Sequence, residues 1–171
     1  MSAVLLGASQ TSAAATPVKS NPTPAAAPAT APGSGGASLE RSGSGSSAEA
    51  RGPEAVCTFK TRGDYVHVSS SAFEASGHGW WVNGNCPTST AVVTVELQEY
   101  YNDGRWRTKG TVGQATVRSG GGAGNRATGR AGCDNNTLTG WRSVVDVDLV
   151  GVADTPEKLI TPARNINCRR Y

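Results

Sequence analysis

Apolar and polar residues alternate most regularly in the stretch 91–100, which reads AVVTVELQEY. Val93, Val95 and Leu97 share one face of an extended chain, and the threonine and glutamate between them share the other. Alternation with a period of two is typical of a strand that is buried on one side. An Asn-Asp-Gly triplet at 102–104 supplies a turn before the alternation resumes, so the pattern predicts a β-hairpin.

A second alternating strand is predicted over 141–150. Its inward residues are Trp141, Val145, Val147 and Leu149, and its outward residues are Arg142, Asp146 and Asp148. Shorter alternating segments bring the total to seven or eight strands, with no sustained helical period. A single helical turn is predicted at 155–158, and Pro162 excludes a longer helix there. The pattern favours an all-β fold, an antiparallel immunoglobulin-like β-sandwich.

Large apolar side chains are concentrated in the C-terminal part of the chain. Residues 17–52 are instead rich in Ala, Pro, Gly and Ser. Such a composition buries too little apolar surface to offset the entropy lost on ordering. We therefore predict a disordered linker over 17–52, followed by a sandwich domain over 53–171. Two roles stay open for the linker: a plain spacer, or a segment that adds a strand to a partner.

The first sixteen residues resemble the end of a secretory signal peptide. A short apolar run at 3–6 leads to an Ala-Ala-Ala junction at 13–15, although a basic start is missing. We interpret 1–16 as a truncated signal peptide, the alternative being a low-complexity start. This interpretation predicts a secreted protein. No other apolar run approaches the roughly 18–20 residues of a membrane span, so no membrane partner is expected.

Four cysteines agree with export. Cys57, Cys86, Cys133 and Cys168 are widely spaced, without a C-x-x-C pair or the histidine spacing of a zinc site. An even number of cysteines in a small exported domain predicts two disulfides. Three pairings are possible. We favour Cys57–Cys86 and Cys133–Cys168, because each joins plausible strand ends and closes a loop of moderate length.

Neither catalysis nor metal binding is predicted, and no cofactor is expected. His67 lies within an alternating segment, and His78 lies in a glycine-flanked loop. No nucleophile elbow, carboxylate pair or calcium loop accompanies them. The Arg-Gly-Asp tripeptide at 62–64 matches an integrin-binding motif, but the same residues suit a turn between strands. The sequence therefore favours a non-enzymatic protein.

Paired aromatic residues are the best candidates for binding. Neighbours in a strand point to opposite faces, so one member of Trp80/Trp81 and one of Tyr100/Tyr101 should be buried and the other exposed. The exposed members would share an amphipathic surface, of the kind enriched at binding hot spots, with residues of the hairpin. These hairpin residues are Arg105, Trp106 and Arg107. The alternative is that all these aromatics serve packing.

Net charge narrows the class of partner. The chain carries +3 over 171 residues, which is too even a balance to favour nucleic acid. Other secreted proteins are the expected partners. Glycans are possible as well, because aromatic side chains and arginine also pack on sugars. An inhibitor of extracellular proteases is a third class, but its candidate loop at 120–125 is too rich in glycine to be rigid.

The truncated signal, the Ala/Pro/Gly/Ser linker, the four cysteines and the paired aromatics together resemble small exported sandwich proteins of actinobacteria. Among these, the chain is similar to the small linker subunit of umbrella toxin particles. The resemblance implies a non-enzymatic adaptor. In such an adaptor the sandwich binds one subunit, while the flexible N-terminal segment binds a lectin-bearing subunit.

Overall fold

The computed structural model describes residues 22–28, 37–44 and 56–171. These ranges contain eleven β-strands and no helix, and thus no helix that could span a membrane. In chain order the strands are β1 (Ala37–Ser44), β2 (Val56–Gly63), β3 (His67–Val68), β4 (Glu74–Asn83), β5 (Thr90–Tyr100), β6 (Trp106–Arg118), β7 (Ala127–Gly132), β8 (Asn135–Leu149), β9 (Ala153–Asp154), β10 (Leu159–Ile160) and β11 (Arg164–Arg169).

The strands follow one antiparallel path, β10-β8-β5-β6-β7-β4-β2-β1-β9. β11 adds to β8, and β3 adds to β4. The path curls, because β10 at one end also contacts β1 and β2 near the other end, and the body is nearly barrel-like. The prediction of an antiparallel all-β fold is confirmed. The immunoglobulin-like arrangement of its strands stays a prediction.

Two details of the strand prediction are wrong. Residues 155–158 form no helical turn, since they join β9 to β10 as irregular chain. The described residues also contain more strands than the seven or eight expected. β3, β9 and β10 have two residues each, which is too short to leave an alternating pattern.

The core is built from the predicted alternating strands. Val93 and Val95 of β5 pair with Val147 and Val145 of β8, and all four side chains are fully buried. Large side chains fill the remaining space; they are Phe59, Trp81, Leu97 and Trp141. Full burial of one such side chain contributes about 1.5–3 kcal/mol. The predicted hairpin and the inward face of 141–150 are confirmed.

Two glycines let β4 cross the opposite strands at close range. A Cβ on Gly79 would lie 2.5 Å from Cγ1 of Val145 and 2.8 Å from Cγ2 of Val95, and a Cβ on Gly77 would be equally crowded. Because both glycines face the core, the residue between them, His78, points to the opposite side of the sheet, where its side chain is still buried. His78 therefore lies within β4, and its predicted placement in a loop is wrong. The glycines there serve close packing, not a turn.

Both disulfides join the favoured pairs, so the predicted pairing is confirmed. Cys57 bonds to Cys86 and Cys133 to Cys168, with Cα–Cα distances of 4.6 and 5.0 Å. The first links β2 to the chain just after β4, and the second links the β7–β8 connection to β11. These crosslinks are consistent with an oxidising environment outside the cytoplasm.

β1 lies inside the predicted linker, whose bounds 17–52 stay a prediction. This strand pairs along its whole length with β2 and at its end with β9. Such pairing rests on backbone hydrogen bonds, which residues of any composition except proline can form. Composition alone therefore could not reveal this strand. The predicted signal peptide at 1–16 lies outside the described residues.

Residues 22–28 form a second ordered piece of the predicted linker. The Ala25 N–H donates to the Tyr100 carbonyl at 2.8 Å, and the Ala25 carbonyl accepts from the Gly140 N–H at 2.9 Å. Ala27 is buried, and a Cβ on Gly140 would lie 2.5 Å from the Ala27 Cβ. This stretch therefore fits closely across one end of the sheet.

Candidate functional site

The seven predicted binding residues differ in exposure. Trp81 and Tyr101 are buried, while Trp80 and Tyr100 are partly exposed, as strand alternation predicts. Trp81 also donates its indole N–H to the Val117 carbonyl at 3.1 Å, so it belongs to the core. The three hairpin residues Arg105, Trp106 and Arg107 are exposed or partly exposed.

Trp106 is the centre of an aromatic–arginine cluster, which we define as Tyr100, Trp106 and Arg142. Trp106 and Tyr100 face each other across β5 and β6, with ring centroids 5.0 Å apart and planes tilted by 52°. The Arg142 guanidinium lies 4.4 Å from the Trp106 ring centroid. Its Nε–H donates to Oε1 of Gln98 at 2.8 Å. Three neighbouring strands therefore hold the cluster on the outer face.

Arg142 is the cluster member that the sequence did not identify. The alternation along 141–150 placed it outward but not beside Trp106. Its position depends on the register of β8 against β5, in which Gln98 pairs with Arg142. Partial burial lowers the pKa of Arg142, as expected for a cation withdrawn from water.

The predicted surface does not form one continuous patch, and that part of the prediction is wrong. Arg107 neighbours Trp106 in β6 and therefore points to the opposite face. Its guanidinium lies 4.1 Å from the Tyr101 ring centroid and makes a 2.6 Å ion pair with Asp103. This hydrogen-bonded ion pair lowers the pKa of Asp103. Arg107 thus braces the hairpin turn, and Arg105 is exposed within that turn.

Trp80 lies on β4, two strands away from β6. It belongs neither to the aromatic–arginine cluster nor to the hairpin turn that Arg107 braces. The loop after β6 covers it, because a Cβ on Gly121 would lie 2.7 Å from Cδ1 of Trp80. Gly121 has a positive φ of 77°, a conformation that favours glycine. The Gly120 N–H also donates to the Trp81 carbonyl at 2.9 Å. The loop at 120–125 is therefore anchored to β4 at its start.

A second group of side chains, the histidine cluster, consists of Asp64, His67 and His78. Oδ1 of Asp64 accepts from the His78 backbone N–H at 2.7 Å, and Oδ2 lies 2.6 Å from Nδ1 of the same residue. The two imidazole rings stack with centroids 5.4 Å apart. His78 is only 7% exposed, whereas His67 and Asp64 are partly exposed. Sequence separation concealed this cluster, since β3 and β4 bring its members together.

The histidine cluster bears on two interpretations of the sequence. An Asp–His pair is two thirds of a hydrolase triad, but a nucleophile is also required. Among the described residues, neither imidazole hydrogen-bonds to a hydroxyl, and all four cysteines are in disulfides. The Asp64 carboxylate is also engaged by His78 through both oxygens, so the Arg-Gly-Asp tripeptide does not present a free aspartate to an integrin.

Glu99 is a buried carboxylate beneath Tyr101. Its Oε1 accepts from the Arg170 backbone N–H at 3.0 Å, and its Oε2 accepts from the Tyr101 hydroxyl at 3.4 Å. Desolvation raises the pKa of Glu99 above its ordinary value of 4.5, although these hydrogen bonds and the Lys109 charge oppose the shift. A raised pKa means that the folded state holds the proton more tightly than the unfolded state. Glu99 thus favours folding below 4.5, and this contribution falls as the pH rises through the folded pKa.

Replacing Glu99 by glutamine should flatten the pH dependence of the free energy of unfolding above pH 4.5. We expect the free energy of unfolding of wild type, relative to that of Glu99→Gln, to fall as the pH rises above 4.5. Urea unfolding from about pH 4 to about pH 8, with the disulfides intact, measures both slopes. Identical slopes would contradict the assignment of a raised pKa to Glu99.

Comparisons of the chain with protein-family models, with curated proteins and with solved structures found no match. The geometry of the aromatic–arginine cluster and of the histidine cluster is therefore the basis for assigning a function.

Proposed function

We propose that this protein is a secreted, non-enzymatic binding module that recognises a protein partner through the aromatic–arginine cluster. The observation that supports this proposal is the packing of Tyr100 and Arg142 around the partly exposed Trp106. Tryptophan, tyrosine and arginine are the residues most enriched at protein-binding hot spots. In this cluster Tyr100 and Arg142 each contact Trp106 on one face.

The surroundings of the cluster extend it into a surface of mixed character. Val144 follows Arg142 on the outer face of β8 and pairs with Ile160 of β10, which is 52% exposed. Beyond them, Lys158 and Asp146 form an ion pair with a 3.1 Å N–O distance. An apolar centre bordered by charged side chains is the usual anatomy of a protein interface.

Preorganisation favours tight binding at this surface. The Arg142 guanidinium is fixed by Gln98 and by the Trp106 ring, so a partner would not have to order it. Immobilising a flexible side chain on binding costs about 0.5–1.5 kcal/mol. The same packing disfavours a glycan, because Arg142 and Tyr100 occupy ring surface of Trp106 on which a sugar would stack.

The adaptor role is the more specific form of this proposal. In it, the aromatic–arginine cluster binds one subunit of an extracellular assembly and the N-terminal region binds another. The described residues 22–28 and 37–44 already pack on this domain. A contact with a second subunit would therefore use other parts of the N-terminal region, or would require release of these two pieces.

Replacing Trp106 by alanine should weaken partner binding by a factor of about 30 or more, because a hot-spot residue contributes at least about 2 kcal/mol. The measurement is stoichiometric capture of proteins from the culture supernatant of the source organism, followed by titration of the captured protein. Arg142→Ala should also weaken partner binding.

Trp80→Ala is the matched control, since it removes the same side chain from a partly exposed position elsewhere on the sheet. Its binding should equal that of wild type. Loss of binding in Trp80→Ala alone would place the interface on β4 and overturn the proposal. Retention on insoluble glycan, lost in Trp106→Ala, would replace a protein partner by a polysaccharide.

A further inference from the structure

We propose that the histidine cluster is a binding site for a divalent transition metal ion, with His67 and His78 as ligands through Nε2. One potential ligand atom from each of Asp64, His67 and His78 lies within 4.8 Å of the other two. The inference does not depend on the proposed partner surface, which lies elsewhere on the sheet.

Hydrogen bonds fix the same tautomer in both neutral rings. Nδ1 of His67 lies 3.2 Å from the Tyr65 carbonyl, which can only accept, so Nδ1 carries the proton. Nδ1 of His78 lies 2.6 Å from the Asp64 carboxylate and carries its proton for the same reason. The lone pair of each neutral imidazole is therefore on Nε2, the atom that is available to bind a metal.

This arrangement matches the outer sphere of known metal sites. A metal-binding histidine almost always donates its second ring N–H to a carboxylate or to a backbone carbonyl. Here the Asp64 carboxylate serves His78, and the Tyr65 carbonyl serves His67. Asp64 is further held by the His78 backbone N–H, so its position is set at two points.

Two neighbouring strands, β3 and β4, carry the two histidines. His78 is held between Gly77 and Gly79 where β4 packs tightly against the core. His67 lies on the two-residue β3, which pairs with β4 and also lies against β11. Zinc–nitrogen bonds of about 2.0–2.1 Å place two tetrahedral ligands about 3.4 Å apart. Binding would therefore require the two Nε2 atoms to come within this distance.

The ligand set defines the class of ion. Imidazole nitrogens suit Zn²⁺, Cu²⁺ and Ni²⁺, whereas Ca²⁺ and Mg²⁺ need several oxygen ligands. Two imidazoles and one outer carboxylate leave the remaining coordination positions to water or to a group from a partner. Such an ion would tie β3 to β4.

The test is a titration of the untagged, disulfide-bonded full chain with Zn²⁺ against a chromophoric competitor. We expect one ion per chain, a loss of at least about tenfold in affinity for His67→Ala, and a loss of about 10–100-fold for Asp64→Asn. His67 is the primary target because it is partly exposed, and circular dichroism checks that the variant folds. Glu74→Gln changes an acidic residue of β4, the strand that carries His78. It is the matched control and should bind Zn²⁺ as wild type does.

A second measurement does not depend on any variant. Zn²⁺ should shift the imidazole Nε2 resonances of both histidines in long-range ¹⁵N NMR spectra, and leave each Nδ1 protonated. Absence of one-to-one binding, equal affinity in His67→Ala, or a shift confined to one ring would overturn the proposal. Displacement of Zn²⁺ by millimolar Ca²⁺ would also overturn it, because it would indicate a site of oxygen ligands.

Discussion

Replacing Cys133 and Cys168 together by alanine is expected to lower the free energy of unfolding by about 4 kcal/mol. The crosslink closes a segment of 35 residues, and the loss of chain entropy in the unfolded state for a loop of this length gives about that value. Cys168 is fully buried, and its carbonyl accepts from the Trp141 indole N–H at 2.7 Å. Loss of the bond would therefore also loosen β11 where it covers a core tryptophan.

Alanine is the better substitution because serine would add an unpaired hydroxyl at the buried position 168. Urea unfolding of the oxidised proteins measures the change. The Cys57/Cys86 double alanine variant is the comparison, since its segment of 29 residues predicts nearly the same entropic loss. A decrease of less than about 1 kcal/mol in both variants would show that the crosslinks contribute little to stability.

Gly79→Ala is expected to destabilise the fold by about 3 kcal/mol, at the upper end of the range for overpacked cores. The added methyl group would lie 2.5 Å from Val145 Cγ1 and 2.8 Å from Val95 Cγ2. Both valines are fully buried in the centre of the core, so neither can move aside without disturbing its neighbours. The strands β4 and β8 would have to separate locally.

Two further variants make this prediction specific. Gly124→Ala is the matched control, because a Cβ there would meet no atom within 4 Å and unfolding should be unchanged. Val145→Ala in the Gly79→Ala background removes the contacted methyl groups and should restore part of the lost stability. Strict additivity of the two changes in urea unfolding would contradict a direct clash between residues 79 and 145.

Sequence alone predicts those parts of the fold that one-sided burial determines. Val93, Val95 and Leu97 revealed β5 because every second position must be apolar when one face of a strand packs on a core. Strands of two residues, such as His67–Val68, have no period to detect. His78 was misplaced because glycine signals a turn locally, whereas Gly77 and Gly79 are required by strands distant in sequence.

The candidate sites were less predictable, because both depend on register. Trp106 and Tyr100 were expected to be close, since one hairpin turn joins their strands. Arg142 reaches Trp106 only because Gln98 and Arg142 are paired across β5 and β8. The histidine cluster likewise requires the pairing of His67 with β4 and the return of Asp64 to the same edge. No local pattern encodes such pairings.

Segments from both ends of the described chain meet at one pole of the body. Thr23 bonds to Asn102 there, and Arg170 bonds to Glu99 and Tyr101. Carrier proteins or surface linkers attached near either segment would thus crowd the rim of the Trp106 surface. The loop at 120–125 emerges at the far end of the hairpin, about 33 Å away along an eleven-residue strand. Immobilisation through that loop would leave the Trp106 surface facing solution.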